Sequence, residues 1–144
     1  MRKTIGRVAA ATALIVVASA CASGGPSADG SPPPPSSSRR PSSTAKLAIV
    51  APENGSTVVG PTADLRVSLK DARIVKKTST DLTPDEGHIH VLLDGKLISM
   101  SYGLEQKIPD LTPGPHRVQV EFVATDHAPF DPRVIAVTSF QVKR

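Results

Sequence analysis

From Lys46 to the end of the chain, apolar and polar residues alternate with a period of two. Such alternation turns one face of a pleated strand towards a core and the other towards water. Leu47-Ala48-Ile49-Val50 predicts a first strand. It is closed by Pro52-Glu53-Asn54-Gly55, where Asn-Gly supplies positive φ. Leu65, Val67 and Leu69 alternate with Arg66, Ser68 and Lys70, which predicts a half-buried strand with room to continue to Ile74. Lys77 to Glu86 predicts a polar loop containing Pro84. Gly87 to Leu93 and Lys96 to Ser101 predict a hairpin about Asp94-Gly95. Leu104 to Leu111 predicts a short strand and turn, and Thr112-Pro113-Gly114-Pro115 a tight corner. His116, Val118, Val120 and Phe122 alternate with Arg117, Gln119 and Glu121 in the most regular strand pattern of the chain. After a loop over Asp126 to Pro132, Val134, Ala136, Thr138, Phe140 and Val142 predict a last strand.

No long helical template fits anywhere in this stretch. About seven short strands in about 100 residues predict an all-β fold, an immunoglobulin-like antiparallel β-sandwich. The paired cysteines and core Trp of antibody domains are missing, which points to a bacterial or fibronectin-like variant.

The hairpin carries the candidate chemistry. Counting outward from Asp94-Gly95, Leu93 faces Lys96, Val91 faces Ile98, His90 faces Ser99, Ile89 faces Met100 and His88 faces Ser101. Ile89, Val91, Ile98 and Met100 then share the core face, and His88, His90, Ser99 and Ser101 share the other. Two residues apart on one strand, the imidazoles emerge from one face about 7 Å apart. That spacing suits two ligands of one Cu or Zn ion. Pairing of this strand with Arg117 to Val123 would bring the histidines towards Asp126, His127 and Asp131. His88, His90, His127 and Asp126 are therefore the candidate metal ligands. The competing reading makes His88 and His90 sheet histidines hydrogen-bonded to Ser99, Ser101 or loop backbone, with Asp126-His127 a loop-fixing pair. His116 falls at the opposite end and reads as structural. No G-x-S-x-G elbow is present, and Asp85-Glu86 has no identifiable second partner. The expectation is a protein that is not an enzyme.

The N-terminal region has a different character. Arg2, Lys3 and Arg7 precede an apolar run from Val8 to Val17, and Ala18-Ser19-Ala20 supplies small residues before Cys21. Residues 1–20 thus read as a signal peptide, with an apolar run too short for a membrane span of about 20 residues. Ala-Ser-Ala-Cys resembles the bacterial lipobox, although Ala18 stands where Leu or Val is usual. That resemblance implies a diacylglycerol on the Cys21 thiol and cleavage before it. The alternative is ordinary secretion with a leftover thiol. Ala22 to Thr44 is rich in Ser, Pro, Gly and Ala, with Pro32 to Pro35 unbroken. Without an apolar face to offset its ordering entropy, residues 21–44 read as a disordered linker of polyproline II character. The folded unit is expected over residues 45–144.

Charge narrows the partners further. The formal net charge is +4, but Arg2, Lys3, Arg7, Arg39 and Arg40 all precede residue 45. The domain itself holds 12 basic and 12 acidic residues, so it lacks the basic face a nucleic-acid partner needs. Cys21 is the single cysteine, which excludes an internal disulfide. With no Trp, one Tyr and three Phe, the chain offers little aromatic platform for sugars.

Four motifs, taken together, resemble a known set: Pro52-Glu53-Asn54-Gly55, Gly87-His88-Ile89-His90 followed by Asp94-Gly95, Pro113-Gly114-x-His116, and Asp126-His127-x-Pro129. The chain is similar to a family of uncharacterised bacterial extracytoplasmic domains, found in lipoproteins and secreted proteins. These carry Gly-His-x-His and Pro-Gly-x-His signatures on an immunoglobulin-like fold. The histidine content is also similar to that of periplasmic copper carriers of sandwich shape, though the Met-rich loops of those carriers are absent here. Taken with the lipobox and the charge balance, the expectation is a lipid-anchored binding or scaffolding module on the outer face of the bacterial cytoplasmic membrane or elsewhere in the cell envelope, with an envelope protein and not nucleic acid as partner. The alternative is a lipoprotein that binds copper or zinc through its histidine cluster.

Overall fold

The computed structural model describes residues 40–144. The expected signal peptide, Cys21 and most of the expected linker lie outside the described residues. Nine strands are present and no helix is found among those residues. They are β1 (Lys46–Ala51), β2 (Thr57–Val59), β3 (Ala63–Lys70), β4 (Arg73–Ile74), β5 (Glu86–Leu93), β6 (Lys96–Ser101), β7 (Glu105–Ile108), β8 (Gly114–Ala124) and β9 (Pro129–Lys143). One sheet runs β1-β3-β7; the other runs β2-β9-β8-β5-β4, with β6 also paired to β5. The chain is an all-β immunoglobulin-like sandwich, as the strand periodicity predicts. The extra strands, β2 and β4, are three and two residues long and pair parallel at the ends of β9 and β5. Segments this short carry no measurable alternation, which is why the pattern reads as about seven strands.

The two sheets close on the apolar face of each strand. Leu65, Val67, Ile89, Val91, Ile108, Val118, Val120, Phe122, Phe140 and Val142 are all buried. β5 lies antiparallel between β6 and β8, so His88 pairs with Val123 and His90 with Glu121. Between β8 and β9 the register jumps, from Phe122↔Val134 to Val123↔Pro129. The slack lets Phe130 fold back onto Phe122, ring centroids 5.5 Å apart and nearly parallel.

The hairpin turn is as expected, with Asp94 and Gly95 both at positive φ. Its register is not. Leu92 faces Leu97, but Val91 faces Ser99 and His90 faces Met100, because a bulge at Ile98 inserts one residue. Past the bulge every β6 side chain changes face. Ile98 and Met100, expected in the core, are 39% and 55% exposed. Ser99 instead turns towards the sheet gap, where its hydroxyl donates to Gln106 Oε1 of β7 at 2.9 Å. On this edge strand a bridging hydrogen bond to the second sheet takes the place of apolar burial.

The stalk expected to run to Thr44 meets the sandwich earlier. Ser43 Oγ donates to Pro84 O at 2.7 Å and Thr44 Oγ1 to Asp71 O at 2.6 Å. Thr44 N–H reaches Pro84 O at 3.1 Å, and Asp131 N–H reaches Pro41 O at 3.1 Å.

His116 sits at the opposite end from the other histidines. Its Nδ1 is 2.7 Å from Asp94 Oδ2 and its Nε2 2.8 Å from Thr112 O. Both partners are acceptors, so both ring nitrogens must donate, which only the imidazolium can do. Burial alone would lower its pKa, but the Thr112 carbonyl and the Asp94 carboxylate outweigh it and raise the pKa above 6.5. The stabilisation is therefore full below pH 6.5 and is lost as pH rises through the elevated folded value. Thermal unfolding from pH 6 to pH 9 should show Tm falling by a few degrees, and His116→Gln should flatten that slope. An identical slope in the variant would remove His116 as its source.

Candidate metal centre

Two elements bring three imidazoles to one end of the larger sheet. β5 projects His88 and His90 from its outer face, because Ile89 and Val91 between and beyond them are buried inward. The turn from β8 to β9 supplies His127. That turn is closed by the His127 N–H to Ala124 O at 3.0 Å and by Ala124 N–H to Ala128 O at 3.1 Å. His127 adopts φ 65°, a left-handed conformation that histidine enters more readily than most residues. One ligand nitrogen from each of His88, His90 and His127 lies within 4.8 Å of the others. The ring centroids of His88 and His127 are 4.3 Å apart, those of His88 and His90 5.0 Å.

Asp126, the fourth candidate, does not join them. Its carboxylate is turned to the Arg40 guanidinium, with Arg40 Nη1 on Oδ2 and Nη2 on Oδ1 at 3.0 Å. The Arg40 hydrogen bond holds this carboxyl below the usual carboxylate range. Asp131 is exposed, and its backbone carbonyl accepts from Ser42 Oγ. Glu121, opposite His90 on β8, is buried but forked by Arg133, with contacts of 2.7 and 2.5 Å. Asp126 and Glu121 are thus both satisfied by arginine, and the groups that converge at this end are imidazoles.

The hydrogen bonds expected of purely structural histidines are not found. Ser99 Oγ goes to Gln106 and Ser101 Oγ to the Gly103 carbonyl. His88 is fully buried, its Nδ1 has no hydrogen-bond partner, and its Nε2 lies 3.1 Å from His90 Nε2. Buried polar atoms are ordinarily satisfied, so leaving Nδ1 without a partner is costly at a buried position. The 3.1 Å separation is close to the roughly 3.3 Å edge of a tetrahedron built on Zn–N bonds of about 2.0–2.1 Å.

Electrostatics keep these rings available. Burial, followed by the neighbouring His127 and His90, pushes the His88 pKa down to about 4. Burial and His127 also lower that of His90, against the opposing pull of Glu121. Both rings are therefore neutral at pH 7, with lone pairs free of competing protons.

Residues unforeseen in the sequence complete the surround. The segment after β4 crosses this end, fixed by Val75 N–H to Gly87 O at 2.9 Å and by Lys77 to Glu86 at 2.5 Å. Lys77 and Arg73 hold the Glu86 carboxyl down to about 2. Thr78 Oγ1 lies 3.3 Å from His127 Nε2, and Ser79 and Thr125 exchange hydrogen bonds. Tyr102 packs on His88 with centroids 5.4 Å apart. Met100 shares the His90 face because of the bulge, which no spacing in the sequence announces.

Fold and site together define an immunoglobulin-like domain with a three-imidazole cluster at one end. No family model and no curated protein matches the chain. Among solved structures it is similar to the fibronectin(III)-like modules of Clostridium thermocellum CbhA, at 19% identity and a TM-score of 0.49, over 68% of this chain and 96% of that one. The PKD domain of human KIAA0319 is similar at 14% identity and a TM-score of 0.40, over 78% and 92% of the two chains. CopC from Methylosinus trichosporium OB3b is similar at 18% identity and a TM-score of 0.37, over 68% and 94%. At such distances these likenesses carry no argument about the ligand, and the sandwich assignment stands on the strand pairing itself.

Proposed function

We propose that the chain is an exported, lipid-anchored binding protein whose sandwich captures a zinc or copper ion through His88, His90 and His127. The observation that supports this reading is the approach of three ligand nitrogens to within 4.8 Å, one of the rings being fully buried. Neutral nitrogen donors suit Zn2+ and Cu2+ better than the hard, oxygen-preferring Ca2+ or Mg2+. Three protein ligands leave a fourth position for water or for a donor on a partner. The proposed role is capture or buffering and not catalysis.

The unit Ser37–Arg144, which contains the whole core, is the material for the test. Titration with Zn2+ and Cu2+ at pH 7 should give one site per chain with Kd below about 1 µM, equivalent to about −8 kcal/mol. Binding weaker than about 10 µM for both ions would end the metal reading. A docking role has its own support: the sheet face bearing His90 also exposes Met100, Ile135 and Val137. A protein partner retained equally with and without chelator would favour docking over metal capture.

The anchor rests on Ala18-Ser19-Ala20-Cys21 alone. Two acyl chains on Cys21 would hold stably where one is marginal, each buried CH2 contributing about 0.8 kcal/mol. Cys21→Ser should move the protein from the membrane fraction to the soluble fraction or leave its precursor uncut. An unchanged membrane fraction would refute lipidation.

A further inference from the structure

Arg40 makes four contacts through one guanidinium, and all fall on the turn that presents His127. Nη1 and Nη2 take the two Asp126 oxygens, Nη2 also donates to Ala128 O at 2.8 Å, and Nε donates to Pro129 O at 2.9 Å. Asp126 Oδ1 in turn accepts the Ala128 N–H at 3.1 Å. His127 is thus bracketed on both sides by groups that Arg40 holds. The Arg40 and Asp126 side chains are 29% and 22% exposed, so the fork is partly shielded from water. A planar bidentate pair in such a setting fixes geometry in a way that a mobile surface pair does not. The left-handed backbone of His127 lies within the stretch these contacts hold.

We propose that Arg40 is a positioning residue for the metal centre: by clasping the Asp126–Pro129 turn it sets His127 against His88 and His90. The proposal rests on the metal reading above. Linkage then runs both ways. If the clasp raises metal affinity, bound metal tightens the clasp by the same factor, so occupancy of the site is felt at the point where the N-terminal segment joins the sandwich.

The test compares wild-type Ser37–Arg144 with Arg40→Ala, Arg40→Lys and a chain beginning at Ala45, each titrated with Zn2+ and Cu2+. Removing the clasp should weaken both ions by about 10- to 100-fold, the range seen when supporting contacts to metal ligands are lost. Electron paramagnetic resonance of the Cu2+ form should change from three coordinated nitrogens to two in Arg40→Ala. A general loss of stability would not alter that count. Arg40→Lys should recover only part of the affinity, since an ammonium cannot span both Asp126 oxygens and the turn carbonyls. Far-UV circular dichroism without metal checks that the sandwich is intact, and the truncated chain leaves every strand residue unchanged. If wild type binds and Arg40→Ala binds within twofold with the same nitrogen count, the positioning role is wrong and the metal reading stands. If wild type itself binds neither ion, both fall together.

Discussion

The double variant His88→Ala/His90→Ala is expected to lose metal binding altogether, a drop well beyond the 10- to 100-fold typical of supporting residues. Two of the three converging imidazoles would be gone, and the remaining one, half-buried on its turn, offers a single nitrogen. The loss should be as plain in stability as in affinity. A ligand at about 100 times its Kd stabilises the folded state by about 2.7 kcal/mol, which for a domain of this size raises Tm by about 10–20 °C. Wild type should show that rise with Zn2+, and the double variant should show none. Because His88 is fully buried, its removal also leaves a void, so the metal-free variant will melt lower than wild type. His127→Ala separates the two effects. Its side chain is only partly buried and lies on the turn, so the metal-free Tm should hardly change while the zinc-induced rise disappears. A full zinc-induced rise in either variant would show that the ion binds elsewhere.

Gly87→Ala is expected to be the most damaging single change to the fold. Gly87 pairs with Ala124 across β5 and β8, and a Cβ at this position would fall on the Val123 carbonyl oxygen, with Phe122 Cζ at 2.9 Å. The first obstacle is sheet backbone and the second belongs to a fully buried ring, so neither can yield cheaply. Destabilisation of about 3 kcal/mol or more is expected, with a Tm drop above about 12 °C or failure to fold. The neighbour of Gly87 is His88, so metal affinity should fall as well. Chemical unfolding of the metal-free protein reads the first effect without the second. A Tm within a few degrees of wild type would mean that β5 and β8 can part locally, and that His88 is held less rigidly than its burial implies.

Much of the frame was legible in the alternation of apolar and polar residues. Val118, Val120 and Phe122 announce β8, and Asp94-Gly95 fixes a turn whose two residues both take positive φ. His88 and His90 share a face for a local reason, the two-residue period of a strand. The approach of His127 required a further step, the antiparallel pairing of β5 with β8, which depends on the fold and not on any nearby residue. What stayed hidden was non-local. The bulge at Ile98 goes with a Ser99 hydrogen bond to Gln106 in the other sheet, and a register counted from the turn has no means of seeing that partner. Its consequence is large, since it moves Met100 from the expected core to the histidine face. Arg40 and Asp126 are 86 residues apart in sequence, and the Arg39-Arg40 pair in a Ser/Pro-rich segment reads as a solubilising pair. For that reason Asp126 looked available as a ligand, whereas its oxygens are already held.

The most direct measurement is X-ray absorption at the zinc edge of Ser37–Arg144 loaded with one equivalent of Zn2+. The expected spectrum contains three imidazoles bound through nitrogen at about 2.0–2.1 Å, with one lighter donor completing four-coordination. Multiple scattering from one imidazole or none, at the same loading, would contradict capture by His88, His90 and His127.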